Sequence, residues 1–453
     1  MSFIKTLSPT GAKTAIYWTD EKTTGTALYE TVLISDRPRY NQSYGEMFRR
    51  EFLIRTGTML GGLAAPSILS RRKAAALPTD SSVIKLALCG DVMTGRGIDQ
   101  VLPHPSDPKI YESYVKSALG YVELAEASNG PIPRPVDPDY IWGDALAEFA
   151  HHSPNVRIIN LETAVTRSND YWQGKGINYR MHPENISCLT AGSIDCCALA
   201  NNHSLDFGYS GLAETLETLN RAKVKHSGAG GNRAEAEKPA IFELSENKRV
   251  LVFSLGVVTS GIPSAWAAAD NRPGVSLLHT LAGEAVTQLA ARIERAKQAG
   301  DLVVVSIHWG RNWGYEIPQS HRRFAHRIID EAGVDLVHGH SSHHPKGFGV
   351  YRGKPILYGC GDFLNDYEGI GGYEQFRSDL ALMYFVSFDS ATGTLARLEL
   401  TPFQIRRFRV NRAGRQEAQW LRDTLNRVGQ PLGTQVTLRE DDSLELRQQC
   451  WGS

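Results

Sequence analysis

Thiol pairing is missing from this sequence. Its six cysteines, Cys89, Cys188, Cys196, Cys197, Cys360 and Cys450, include no Cys-x-x-Cys pair and no small-scaffold spacing. That excludes a zinc ribbon and a disulfide framework and leaves them as small buried residues. Net charge is missing too: Lys+Arg and Asp+Glu both number 49. No global field therefore draws the chain to nucleic acid or to an anionic membrane, and electrostatic specificity has to be local. No internal repeat or low-complexity block interrupts the sequence. With 453 residues and 42% hydrophobic composition, the chain can bury a large core, as about two to four domains or as one large α/β domain with additions.

A clean membrane span is lacking as well. The apolar run from Phe52 to Leu69 contains Arg55 and three glycines, which makes it a poor permanent anchor. Residues 48–76 read FRREFLIRTGTMLGGLAAPSILSRRKAAA: an arginine pair, an apolar run, then small residues suited to signal-peptidase cleavage. Arg49-Arg50 followed by Glu51-Phe52-Leu53 resembles the twin-arginine export signal. Cleavage is expected near Ala76, with a periplasmic or otherwise extracytoplasmic destination. Such signals start at an amino terminus, and Met47 stands immediately before Phe48. The expected organisation is a mis-assigned or disordered extension at 1–46, the signal at 47–77, a main domain at 83–405 and a charged C-terminal extension at 406–453.

After Pro78, short runs rich in Val, Ile and Leu alternate with helical stretches, as in a layered α/β domain. Strands are expected at Ile84–Cys89, Val156–Asn160, Cys196–Leu199, Val250–Leu255, Leu302–Ile307 and Leu336–Val337. Helices are expected at Gly211–Ala222, Leu281–Gln298 and Ser320–Ala332. Three further strand segments, Gly349–Leu357, Leu380–Phe388 and Leu395–Thr401, follow, with Arg352-Gly353-Lys354 as a turn. Leu102–Asp139, proline-rich and weakly periodic, reads as an inserted surface loop, and the tail as helical around Gln416–Arg427.

Polar residues recur immediately after the expected strands. Cys89-Gly90-Asp91, Asn160-Leu161-Glu162, Asn201-Asn202-His203-Ser204-Leu205-Asp206, His308-Trp309-Gly310 and the run VHGHSSHHP from Val337 to Pro345 each close a strand. That last run holds four of the 14 histidines. In open α/β sheets such ends converge on one crevice. Any one alone reads as a turn, a cap or a buried histidine; together they supply carboxylates, an amide and several imidazoles. That mixture suits Zn²⁺, Mn²⁺ or Fe²⁺, and the lack of a thiolate set argues against a structural zinc site.

GDVMTGR, NLET, ANNHSLDFG, SIHWG, GHSSH and GKPILYGCGDF, in that order between Ile84 and Leu400, together resemble the CapA-type capsule or poly-γ-glutamate biosynthesis proteins. Those are in turn similar to calcineurin-like metallophosphatases. The resemblance implies a four-layer α/β/β/α sandwich with mixed sheets and a dinuclear site for Mn, Zn or Fe at the sheet ends. It implies Asp91 and His343 on one metal, Glu162 bridging both, and Asn202, His308 and His340 on the other. His203 would be the general acid or transition-state donor, oriented by Asp206, and Arg96 would clamp an anionic group. His338 falls inside a strand and His344 outside the pattern. Met93 stands where metallophosphatases carry a histidine, and Ser204 where they often carry an acid. The activity implied is hydrolysis or transfer of a bond in polyglutamate, capsule material or a phosphoester, in company with capsule-synthesis proteins. The contrasting readings are a non-catalytic assembly or export partner and a 5′-nucleotidase-like phosphatase.

Beyond that set, Trp309 and Trp313 are expected to stack on a ligand or to pack, and Asp362 to support hydrogen bonds around the site. Asp366 and Glu368 are expected in a solvated turn, His321 and His326 in structural places, and His151 and His152 at a helix end.

Overall fold

A computed structural model describes residues 2–5, 16–19, 83–245 and 247–447; the export segment expected at 47–77 lies outside the described residues. Two short strands, Ser2–Lys5 and Ile16–Thr19, pair antiparallel, and the second runs parallel to Ile370–Gly371. From Val83 the chain starts one sheet, crosses to a second and returns. Strands β1 (Val83–Val92), β2 (Val156–Leu161), β3 (Cys196–Ala198) and β4 (Lys225–Ser227) lie parallel in that order. The second sheet holds β5 (Ala240–Ser245), β6 (Lys248–Val257), β7 (Leu302–His308), β8 (Leu336–His340), β9 (Phe348–Tyr351) and β10 (Lys354–Leu357). There β6, β7, β8 and β10 run parallel, and β9 closes a hairpin on β10 through Arg352 and Gly353, both at positive φ.

The return begins with β11 (Asp362–Leu364), parallel to β1, and β12 (Leu380–Asp389), antiparallel to it. It continues with β13 (Leu395–Arg406), β14 (Arg409–Arg412), β15 (Val436–Leu438) and β16 (Leu444–Leu446). The main helices are α1 (Leu119–Asn129), α2 (Ala145–His152), α3 (Gly208–Arg221), α4 (Gly283–Ala296), α5 (Gln319–Ala332) and α6 (Arg415–Gly429).

Alternating side chains turn two sheets into four layers, because successive strand residues face opposite sides. Leu86 and Leu88 of β1 pack with Val250, Val252, Leu302 and Val304 in a core between the sheets. Ala87 and Cys89 turn the other way, onto Val122, Phe149 and Leu212 of α1 to α3. On the second sheet Leu251, Phe253, Val303 and Val305 face outward onto Leu289 and Ile293 of α4 and Phe324 and Ile328 of α5. Three cores separated by two sheets make the expected α/β/β/α sandwich.

Two expectations need correction. Leu102–Asp139 is not simply a loop, since α1 buries Tyr121, Val122 and Ala125; its weak periodicity concealed a helix. The segment from 406 onward is built into the first sheet, with β14 on β13 and β16 extending the edge beyond β13. Charged outer faces hid that role, while α6 sends Leu421 and Leu425 into the central core. Among the described residues, no helix is long and apolar enough to cross a membrane, and the five described cysteines are free and buried.

A close backbone approach fixes the carboxyl end of β1 against β11. A Cβ on Gly90 would stand 1.8 Å from the Gly361 carbonyl oxygen, and the Asp91 amide donates to that same oxygen at 3.0 Å. Gly90→Ala is therefore expected to push β11 off β1 and destabilise the protein by about 1–3 kcal/mol or more. Urea unfolding of the variant measures it; a loss under about 0.5 kcal/mol, the range of neutral surface changes, would show that the two strands can separate freely.

Candidate metal centre

The parity that fills the central core also delivers polar groups to the sheet ends. Positions of one parity run Leu302, Val304, Ser306 and His308 along β7, and Leu336, His338 and His340 along β8. Apolar residues occupy the deep positions, and polar ones follow toward the carboxyl ends. Strand register sets Ser306 beside His338 and His308 beside His340. Gly339 faces the other side of the sheet, where a Cβ would meet the Leu357 carbonyl oxygen at 2.5 Å and the Trp309 indole nitrogen at 2.8 Å.

A hydrogen-bond chain decides which nitrogen of His340 carries the proton. The Cys89 carbonyl can only accept, so His338 donates to it from Nε2 at 2.9 Å. His338 Nδ1 is then a lone pair, taking the Ser306 hydroxyl proton at 3.1 Å. The Ser306 oxygen in turn accepts from His340 Nε2 at 2.9 Å. His340 Nδ1 is left bare, 2.8 Å from His308 Nδ1 and 3.8 Å from Asp91 Oδ1. His308 Nδ1 lies 4.0 Å from the same carboxylate oxygen. Three donors spaced in this way suit one cation with bonds of about 2.0–2.2 Å.

Asp91 belongs to a second group as well, with His343 and Asp362. The β1–β11 register places Asp362 beside Asp91, and Asp362 Oδ1 lies 2.9 Å from His343 Nδ1. Asn160 and the Ser341 amide donate to Asp91 at 2.7 and 3.1 Å, and Asn365 donates to Asp362 Oδ2 at 2.8 Å. Asn312 meets the far nitrogen of His343 at 2.9 Å.

Glu162 closes the side facing His203, with Oε1 3.6 Å from His203 Nε2 and 4.0 Å from His308 Nε2. Asp206 accepts from His203 Nδ1 at 2.6 Å and from the Tyr179 amide at 2.6 Å. Lys175 pairs with Asp206 and lies 3.0 Å from the same imidazole nitrogen. Ser204 is spent locally, donating to the Leu199 carbonyl and to Asn201.

The donor set fits divalent cations. Burial, then the neighbouring Asp362, pushes the Asp91 carboxyl up to about 7; burial, then Asp91, drives Glu162 well above the usual carboxylate range. Burial holds the His308 and His340 imidazoles far below their ordinary value, each also facing another imidazole. The pull of His343 on Asp91 and of Lys175 on Glu162 does not offset burial and mutual repulsion, so these carboxylates are short of positive charge, and such imidazoles keep their lone pairs. Among the described residues, Asn202 Oδ1 is buried with no hydrogen-bond partner, as an amide ligand is without its cation.

Arg96 does not serve as a clamp. Its guanidinium is fully buried, donating to Glu112 and Tyr121 at 2.9 Å each and to Asp366 through both Nε and Nη2. Asp366, expected in a solvated turn, is the buried counter-charge, and Glu368 accepts from the Arg407 and Phe408 amides. Trp309 packs in the core and donates to the Tyr358 carbonyl at 2.9 Å. Trp313 instead stacks on Tyr373 and leans on His343. It helps line an open cavity of about 350 Å³, together with Asn365, Tyr367, Arg377 and Arg406. His321 stacks on Trp309 and His326 on Tyr351, while His151 and His152 end α2.

Nothing local in the sequence marks Lys175, and Asp362 stands within the ligand cluster rather than around it. Lys175 sits in Gly174-Lys175-Gly176, a stretch without periodicity. Asp362 carried a signal: Cys360-Gly361-Asp362 repeats Cys89-Gly90-Asp91, and the two tripeptides lie side by side.

Comparison with known proteins places the chain in a family. The model for bacterial capsule synthesis proteins matches residues 85–367. A relative from Mycobacterium tuberculosis, named a probable polyglutamine synthesis accessory protein, is 47% identical over 365 residues, 80% of this chain and 96% of the relative. The PGA biosynthesis protein CapA of Bacillus subtilis is 28% identical over 324 residues, 71% of this chain and 72% of CapA. A phosphatase structure from Mycoplasma pneumoniae overlaps 74% of this chain and 95% of its own at 12% identity, with a TM-score of 0.39, too low to carry anything further. The family match spans more than half of the sequence and the mycobacterial relative nearly its whole length, so the chain belongs to the bacterial capsule synthesis protein family.

Proposed function

We propose that this protein is an exported metal-dependent hydrolase or transferase of capsule metabolism, acting on a bond in an anionic substrate such as polyglutamate or a phosphoester. The observation that carries this reading is the convergence of two ligand groups on one carboxylate, Asp91, beside the His203–Asp206 pair. Asp91, His343, Asn202, His308 and His340 would hold two divalent ions, with Glu162 between them. Bound there, such ions would acidify water and neutralise charge developing on a tetrahedral or phosphoryl centre.

The chain's own groups do the rest. Asp206 holds the His203 ring with Nε2 toward Glu162, and burial brings that imidazole down to about 4 despite Asp206. His203 therefore rests as a free base at neutral pH, taking a proton at Nε2 and returning it to the leaving group. Exposed Arg406, in the cavity beside Trp313, offers the anion contact that Arg96 cannot. Export in the folded state would allow metal to be loaded beforehand.

His203→Ala is expected to keep its metal and lose about 10²–10⁴-fold in turnover, assayed on p-nitrophenyl phosphate and on poly-γ-glutamate. The name of the mycobacterial relative, an accessory protein, favours a second reading, a non-catalytic assembly partner. Metal-replete wild type and His203→Ala that are equally inert on both substrates would decide for it.

A further inference from the structure

We infer that the two ends of this cluster are chemically unequal: Asp362 is a ligand that makes its end the harder one, where Mn²⁺ competes best against Zn²⁺. The inference rests on the metal-site reading above and goes beyond it. One end offers Asp91, Asp362 and His343, two carboxylates and one imidazole. Apart from the Glu162 carboxylate common to both and the Asn202 amide, the other offers Asp91, His308 and His340, one carboxylate and two imidazoles. Carboxylate oxygens bond ionically and suit Mn²⁺, whereas imidazole nitrogens give more covalent bonds and suit Zn²⁺.

Several contacts fix Asp362 as a donor. Its backbone is tied to Asp91 by strand register, with no room to shift at the Gly90–Gly361 contact. Asn365 holds Oδ2, which leaves Oδ1 turned toward His343 Nδ1 at 2.9 Å, a spacing of neighbouring ligand atoms. Met93, two residues past Asp91, is a poor substitute, because a soft thioether does not suit Mn²⁺, and its sulfur accepts from the Tyr367 hydroxyl at 3.6 Å. Asp91, Glu162 and Asp362 are all about 1% exposed or less, and three carboxylates buried together call for cations.

If Asp362 only oriented His343, losing it would weaken both metals there alike; as a ligand, it sets the preference between them. The chelator-stripped protein is titrated with MnCl₂, following free Mn²⁺ by electron paramagnetic resonance, and then with ZnCl₂. In wild type the first equivalent of Zn²⁺ is expected to displace Mn²⁺ from the imidazole-rich end alone. Asp362→Asn should weaken Mn²⁺ binding about 10-fold or more while the second Zn²⁺, which enters that same end, binds within about twofold of wild type; His308→Ala should weaken the first Zn²⁺ and leave Mn²⁺ binding within about twofold. Equal losses of Mn²⁺ and Zn²⁺ in Asp362→Asn, or none, would overturn the inference. Should that variant not fold, pulsed resonance on wild type decides: Mn²⁺ left after one equivalent of Zn²⁺ should couple to one imidazole nitrogen, and coupling to two would overturn it. Uptake of both ions without difference between the ends defeats this inference alone; uptake of neither defeats the metal-site reading with it.

Discussion

His340→Ala is expected to strip metal from the purified protein, lowering affinity more than about 100-fold, beyond the range of changes to groups that only orient a ligand. His343→Ala should do the same at the other end. His338→Ala should cost an intermediate amount, about 10–100-fold, because its effect passes through Ser306 to the His340 proton. Without His338, the Ser306 hydroxyl loses its acceptor and can turn its proton toward His340 Nε2. The ring is then free to place its own proton on Nδ1, the nitrogen that faces His308 and Asp91. His338→Gln should restore most of the loss, since its amide can accept from Ser306 and donate to the Cys89 carbonyl. His344 bonds the Pro345 carbonyl and stacks on Phe376, so His344→Ala should leave metal content within about twofold, short of the orienting range. Metal per chain after dialysis, read by mass spectrometry across the four alanine variants, orders them. Equal losses for His338→Ala and His340→Ala would mean that the division between ligand and orienting histidine is wrong.

Arg96→Ala should damage the fold rather than substrate binding. Removing the guanidinium leaves Asp366 and Glu112 buried without counter-charge, and breaking a buried pair from one side costs about 3–5 kcal/mol. The loss appears in urea unfolding as a lowered midpoint. Arg96→Lys keeps the charge but not the fork that bonds Asp366 through two nitrogens and reaches Glu112 and Tyr121 with a third; it should recover only part of the loss. A clamp on substrate predicts the opposite pattern, normal unfolding with a raised KM. An Arg96→Ala protein as stable as wild type would return Arg96 to the substrate.

Legibility of each feature depends on how far it relies on distant parts of the chain. Strand cores were legible because buried parallel strands need runs of Val, Ile and Leu, and β1, β2, β6, β7 and β8 all contain the runs expected of them. Helices α3, α4 and α5 were legible from their apolar spacing, whereas α1 was not, its sequence being short of strong apolar residues at helical intervals. The tail is not legible, because β14 to β16 show their role only when set against β13.

That polar groups close successive β-strands, so that carboxylates, amides and imidazoles gather where those strands end, can be read along the chain alone. The cause is local pattern: a strand of one parity keeps facing one way, so a change from Leu to His at its end moves chemistry to a known place. Which groups become partners depends on how the sheets pack. Arg96 and Asp366 are 270 residues apart, and nothing local distinguishes a guanidinium that meets a buried carboxylate from one that meets solvent. Asp362 joined Asp91 through strand register, and the His340 proton was placed by a carbonyl of the opposite sheet. In each case the group's chemistry was readable in the sequence, while its protonation, exposure or counter-charge depended on which sheet packed against it.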